Sequence, residues 1–325
     1  PPPPPPFFFP PRRRHPRFCL SRGLGDVYKR QSEGNVLSKV YLEAAEQAGY
    51  EINNDMNGYK QEGFGLMDTT IFGGKRQSTS VTYLHPIIKR KNLKVITKTV
   101  VHKIMIENNK AVGIEYSQGE RKKEVYADNE VILSAGAINS PQLLMLSGVG
   151  PADHLKKLDI LVHCNSKGVG ENLQDHLETY LQYECTKPVT LYTSYNPLKM
   201  AMIGLEWFVN KSGVAAYSNL ETGGFIRSNE MVDYPNIQYH FFPSLVLDHG
   251  RKSPNSHAFQ AHVGPMRPTS RGHIKLKSKN NQSIATLKQD GSYGGDVQET
   301  DLDRLGIRET TFLIPKSISY GFGLG

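Results

Sequence analysis

Asp175, His176 and Glu178 fall within four positions of one another, and carboxylate and imidazole groups so close could serve acid–base or metal chemistry. In a strand, however, Asp175 and His176 face opposite ways, so neighbours in sequence need not share a site, and no metal site is assigned. A second candidate is Ser134-Ala135-Gly136-Ala137, four residues without bulk that let a ligand or another element approach the backbone. Other chemical signatures are missing from the sequence. No Gly-x-Gly-x-x-Gly opens a βαβ unit, and there is no Walker loop, no Gly-x-Ser-x-Gly elbow and no His-Glu-x-x-His. The 11 histidines are scattered, with none at a telling distance from a partner. Cys19, Cys164 and Cys185 are too few and too dispersed for a disulfide framework or a zinc site.

The small-residue turn is set between recognisable elements. Val131, Ile132 and Leu133 read as a short strand covered on both faces. Ser140 suits an N-cap and Pro141 the first helical position, with Leu143, Leu144 and Leu146 as the apolar face and Gly148 as the stop. A strand feeding a helix through such a turn is where α/β sheets hold ligands, because the first N–H groups of the helix attract anions. The same spacing also fits a packed strand–helix pair with nothing bound. Upstream, the pattern predicts a helix from Val36 to about Gly49, a polar loop over 53–65 and a second helix over 78–91 interrupted at His85-Pro86. Strands are expected at 93–97, 100–106, 111–116 and 123–127, with Asn108-Asn109 as a turn. Downstream, a short helix is expected over 152–158, an amphipathic helix over 198–210, and strands at 224–226, 237–242, 257–263 and 273–277 whose spacing suggests an antiparallel sheet.

With 325 residues the chain has room for one large or two medium domains. Hydrophobic residues make up 38% and charged residues 22%, ordinary for a globular chain, and no apolar run of about 18 residues could span a membrane. The formal net charge of +8 is concentrated in residues 1–31, which hold seven bases and one acid; the rest has 32 bases and 30 acids, a net of +2. Nucleic acid is therefore not indicated as a partner. A run of six prolines, then three phenylalanines and an arginine cluster, carries no helical or strand period, so residues 1–31 are read as a non-native or disordered leader. A polyproline II ligand or a transit peptide are the other readings of that stretch. Residues 284–325 lose periodicity again and are read as a divergent, non-native tail.

Whole phrases of the chain resemble the glucose–methanol–choline (GMC) oxidoreductases, FAD enzymes that oxidise alcohols. Gly136 through Gly150 is similar to the family's second signature. Asn57-Gly58-Tyr59, Gln61-Glu62-Gly63-Phe64-Gly65, Ala111-Val112-Gly113-Ile114-Glu115 and Gly168 through Glu178 also fit, so the resemblance covers roughly residues 34–282. Asp175 through Cys185, Gly223 through Ser228, Asn236 through His240 and Ser270 through Ile274 are most similar to the choline-oxidising members. The resemblance implies a mixed α/β (α+β) fold with a partial, doubly wound FAD-binding domain over 32–175, including part of the cap. A partial substrate domain built on an antiparallel sheet would follow over 176–283. It implies FAD as cofactor, with Val101 approaching the adenine through its backbone and Ser134, Ala135 and Gly136 lying along the cofactor. Glu178 is similar in position to a glutamate facing the substrate cation; a quaternary ammonium donates no conventional hydrogen bond, so a carboxylate and aromatic faces such as Tyr180, Tyr183, Tyr192 and Tyr195 would hold it. Glu178 also reads as a solvated acid at a strand start.

The implied reaction is oxidation of a small alcohol, choline to betaine aldehyde, with an electron acceptor the sequence does not identify. The resemblance further implies a mitochondrial, inner-membrane setting for a eukaryotic member and a cytoplasmic one for a bacterial member. The departures are specific. Choline-type members carry tryptophan near 195–198, where this chain has Tyr195-Asn196-Pro197-Leu198. Neither the family's Gly-rich diphosphate loop nor its C-terminal catalytic histidine has a counterpart, so no catalytic residue is assigned. The chain is expected to be an inactive middle fragment that does not hold FAD tightly. Another alcohol oxidoreductase of the family and a catalytically inactive binding relative remain open.

Overall fold

The computed structural model describes residues 35–176, 178–247, 252 and 254–279, and the backbone of 286–290. The leader 1–31 and most of the tail fall outside the described residues. In chain order the elements are α1 (Val36–Gln47), β1 (Gly63–Leu66), β2 (Ile71–Phe72), β3 (Lys75–Arg76), β4 (Val100–Glu107), β5 (Lys110–Gln118), β6 (Arg121–Tyr126), α2 (Gly136–Leu146), β7 (Val149–Gly150), α3 (Ala152–Lys157), β8 (Cys164–Asn165), β9 (Glu171–Leu173), β10 (Thr179–Glu184), α4 (Pro197–Asn210), β11 (Thr222–Ile226), β12 (Ile237–Phe242), β13 (Ala258–Pro265), β14 (Arg271–Lys275) and β15 (Thr286–Asp290). The fold is mixed helix and sheet. It divides into two compact units: the described residues of Pro1–Lys89, Tyr180–Leu247 and Ser253–Val263 form one, and those of Arg90–Thr179, Asp248–Lys252 and Gly264–Gly325 the other.

The first unit is built on a five-stranded sheet of order β1-β11-β12-β13-β10. Two phrases far apart in sequence meet there, because β1 runs antiparallel to β11 with Gly63 opposite Phe225 and Gly65 opposite Gly223. Next to that pair, Arg227 Nε donates to both carboxylate oxygens of Glu62 at 3.0 and 3.1 Å, and this hydrogen-bonded guanidinium holds the Glu62 carboxyl below the usual range. Asn35 caps α1 by accepting from Leu37 N, and the helix lays Tyr41 against Phe241 at 4.6 Å between ring centroids. Ala45, Phe64 and Ile226 form the buried centre beneath it.

The second unit has a β4-β5-β6 meander and a three-stranded sheet of order β15-β14-β9. Asn108 and Asn109 join β4 to β5 with φ of 48° and 60°, the two positive angles of a type I′ hairpin turn, as their residue types foretell. The core is Met145, Leu155, Ile274 and Leu276. Of the four downstream strands expected to share one sheet, three do; β14 instead pairs with β9 and with β15, a strand in a tail where the sequence shows no period. Residues 93–97, also expected as a strand, are irregular.

His154 on α3 is half-buried, and its buried Nε2 finds no hydrogen-bond partner among the described residues. Burial lowers its pKa, and the charges of Lys275 and Lys157 push the same way. Below about pH 6.5 the unfolded chain therefore binds more protons here than the folded one, and stability falls as pH drops from there toward the lowered folded value. Denaturant midpoints at pH 7.5 and 5.5 are expected to differ more in the wild type than in His154→Gln. An equal drop in both would assign the pH dependence elsewhere.

Candidate cofactor-side turn

The turn at 134–136 differs from its sequence reading in two respects. Residues 131–133 form no strand. A strand covered on both faces needs neighbours at its edges, and among the described residues none pairs with this segment; Ile132 is 78% exposed. The helix also begins earlier than Ser140: Ala135 is the N-cap, α2 starts at Gly136, and Pro141 lies inside it. A proline there removes only the bond that would reach the Ala137 carbonyl. Ser140 Oγ instead accepts from Ala135 N at 3.1 Å, across the mouth of the turn rather than at the expected cap position.

The result is an open, backbone-lined mouth. Ser134 and Gly136 are exposed and Ala135 half-buried. Gly136 has φ +84°, a left-handed conformation that only glycine adopts without strain, and a Cβ built on it would meet nothing within 4 Å. A flat group can thus lie against this backbone without displacing a side chain, and the free end of an 11-residue helix faces it.

Val101 lies on β4, opposite Tyr116 on β5, and a register shift follows it directly. Such a bulge breaks the ladder and re-aims the strand. The strand and the turn are held in one frame by a residue the sequence did not flag. Ser147, buried at the C-terminus of α2, accepts from Ile104 N of β4 at 2.7 Å and donates to Leu143 O at 2.6 Å. Val101, Ser134, Ala135 and Gly136 are therefore carried by two elements bonded to each other. Nothing in the periodicity separates Ser147 from an ordinary helix-end serine.

Glu178 stands elsewhere, half-buried in the residue before β10. Asp175 and His176 are exposed, with Asp175 Oδ1 accepting from the His176 backbone N–H at 2.9 Å. Among the described residues no three His, Cys, Asp or Glu side chains gather as a metal-ligand set. Tyr180 and Tyr183 do not share one face. They are three apart on a strand and so point opposite ways; the ring of Tyr180 meets His262 at 4.4 Å and that of Tyr183 meets Phe259 at 5.8 Å. Tyr192 packs edge-on against His257 at 5.0 Å.

The family description "GMC oxidoreductase" matches residues 23–178. The mitochondrial choline dehydrogenase of Mus musculus is 53% identical over 251 residues, which cover 77% of this chain and 42% of that protein. The oxygen-dependent choline dehydrogenase of Staphylococcus saprophyticus is 49% identical over 251 residues, 77% of this chain and 45% of that protein. The chain thus spans less than half the length of these relatives. The crystal structure of a pyridoxine 4-oxidase from "Mesorbium loti" superposes with a TM-score of 0.67 at 25% identity, over 82% of this chain and 48% of that one.

Proposed function

We propose that this chain, GMC oxidoreductase in sequence over residues 23–178, supplies the cofactor-side turn and the substrate-side sheet of an FAD-dependent alcohol oxidoreductase whose substrate is choline and whose product is betaine aldehyde. The observation that carries the reading is the open mouth at Gly136, left-handed, unobstructed and at the head of a helix. Ser134, Ala135 and Gly136 would line the cofactor, and the backbone at Val101 would approach its adenine. When bound, FAD supplies the hydride acceptor. The small-residue backbone would leave room for that group at 134–136, and Ser147 fixes β4 against α2, so the elements that would hold it are bonded to each other. Glu178 would set its carboxylate toward the substrate cation. The described residues provide no assigned base for the hydroxyl proton. The mitochondrial setting named for the mouse relative extends to this chain, at the inner membrane, if its source is eukaryotic, and a cytoplasmic one applies if it is bacterial.

Glu178→Gln in the full-length enzyme keeps the shape and removes the charge. KM for choline is expected to rise at least about tenfold, with KM for a neutral alcohol of similar size nearly unchanged, as loss of one close charge partner predicts. Equal rises for both substrates would remove the cation-site assignment and favour a neutral-alcohol oxidoreductase of the same family.

A further inference from the structure

Helix α4 presents two faces. Toward the body of its unit, Ile203 and Trp207 are half-buried, and Trp207 Nε1 donates to the Gly74 carbonyl at 2.6 Å. Leu198, Met202, Leu205 and Val209 lie on the opposite side and are between 63% and 73% exposed. Their spacing of four, three and four residues is that of a coiled-coil seam, with Leu198 and Leu205 at d and Met202 and Val209 at a. Both helix ends are fixed. Asn196 caps Leu198 and Lys199 at 3.0 and 3.3 Å, and Lys211 closes the C-terminus in the left-handed conformation. So firmly held an apolar stripe, exposed along two heptads, marks an interaction surface.

The flanks of the stripe indicate what covers it. One flank carries Lys199 and Glu206, opposite charges one heptad apart at e positions. The other carries Ala201 and Phe208, a small and a large residue one heptad apart at g positions. In an antiparallel helix pair e meets e and g meets g. We propose that α4 packs on α4 of a second copy of this chain, antiparallel about a two-fold axis. Leu198 then meets the partner's Val209, and Met202 meets the partner's Leu205. Lys199 pairs with the partner's Glu206, and Phe208 covers the partner's Ala201. Each contact occurs twice, as an isologous interface requires. Ser212 Oγ donates to Glu206 Oε1 at 3.2 Å and holds that carboxylate on the flank. A bilayer is the poorer match. Helices that lie in a membrane surface flank the apolar stripe with bases, whereas here the acid and base on one flank cancel against a surface but complement each other across a two-fold. With only 14 residues, α4 is also too short to cross a membrane. The pairing does not depend on the proposed chemistry.

Sedimentation equilibrium of the 325-residue chain from about 1 to 100 μM tests the pairing, a range that brackets the weak affinity of a two-heptad contact. Wild type is expected to show a reversible monomer–dimer equilibrium and Leu205→Glu only monomer, with unchanged far-UV circular dichroism. Lys199→Glu and Glu206→Lys should each weaken the dimer by roughly tenfold, because each replaces two attractions by two repulsions. The double variant Lys199→Glu with Glu206→Lys should recover the wild-type constant. A monomer throughout the range, a dimer insensitive to Leu205→Glu, or a double variant no tighter than the singles would each overturn the proposal. Co-sedimentation of a monomeric wild type with phosphatidylglycerol vesicles, lost in Leu205→Glu, would overturn it in favour of a bilayer.

Discussion

Gly170→Ala is expected to lower stability by about 4 kcal/mol, roughly a thousandfold in the folding equilibrium of its unit. Three effects act together. The residue sits at φ +85°, where any Cβ is strained, at a cost of about 1–2 kcal/mol. The added Cβ would overlap the Ile274 carbonyl oxygen and crowd Met145 Cε at 3.4 Å. Relief of that overlap moves the two chains apart and stretches the bond from Ile274 N to Gly170 O, now 2.6 Å. Ile274 and Met145 are both members of the buried cluster of this unit, so the displacement reaches the core and the helix that begins at Gly136. Gly168→Ala, two residues earlier, is the control: it has ordinary φ and nothing within 4 Å of its would-be Cβ, and should cost less than about 1 kcal/mol. Guanidinium titration of both variants reads the difference, and similar costs would refute the close-approach account.

How much of this was legible in the sequence depends on the kind of residue. Two glycines in Gly168-Val169-Gly170 announce a sharp turn, but which one carries the contact is decided by Ile274, about a hundred residues away, and no local pattern encodes that. The Asn108-Asn109 turn was readable because its conformation is set by the two residues themselves. The α1 and α4 helices and the antiparallel strands were readable from periodicity, and the assignment of 134–136 as a cofactor turn, which we propose, comes from the resemblance alone. The failures have a common cause. Val131–Leu133 has the composition of a covered strand, yet a strand exists only by pairing, and its partners are not encoded within it. Ser140-Pro141 has the composition of a helix start, yet the helix begins at Gly136, five residues before Pro141, and Ser140 bonds backward to Ala135 instead of forward. Ser147 was invisible because its role is to satisfy one N–H on a strand more than 40 positions earlier.

Gln260→Leu is expected to cost about 3 kcal/mol although it preserves size and adds apolar surface. On β13 the usual rule is inverted. Ala258, Gln260 and His262 are the buried residues and alternate with the less buried Phe259, Ala261 and Val263. Gln260 is wholly buried and makes three hydrogen bonds. Its Oε1 accepts from Val246 N at 2.9 Å and from Gln182 Nε2 at 3.1 Å, while its amide nitrogen bonds His262 Nε2. The Val246 N–H can only donate, so it fixes which end of the amide is oxygen. The amide nitrogen must then donate to His262 Nε2, and the imidazole hydrogen must lie on Nδ1. Leucine would leave the Val246 N–H and His262 Nε2 without this partner at about 1–3 kcal/mol each, partly offset by the apolar gain. Nitrogen chemical shifts of His262 supply a readout that a simple loss of packing would not move. Wild type should show the Nδ1–H tautomer, and Gln260→Leu a mixture in which Nε2–H is populated. An unchanged tautomer together with a cost under about 1 kcal/mol would mean that the amide only fills space. The ring so oriented is the one that Tyr180 meets edge-on, two residues after Glu178. The buried amide therefore sets the hydrogen-bonding direction of a polar sheet face close in sequence to the proposed cation carboxylate. An alternation of apolar and polar residues gives no hint of this, because here the polar half of the alternation is the inside.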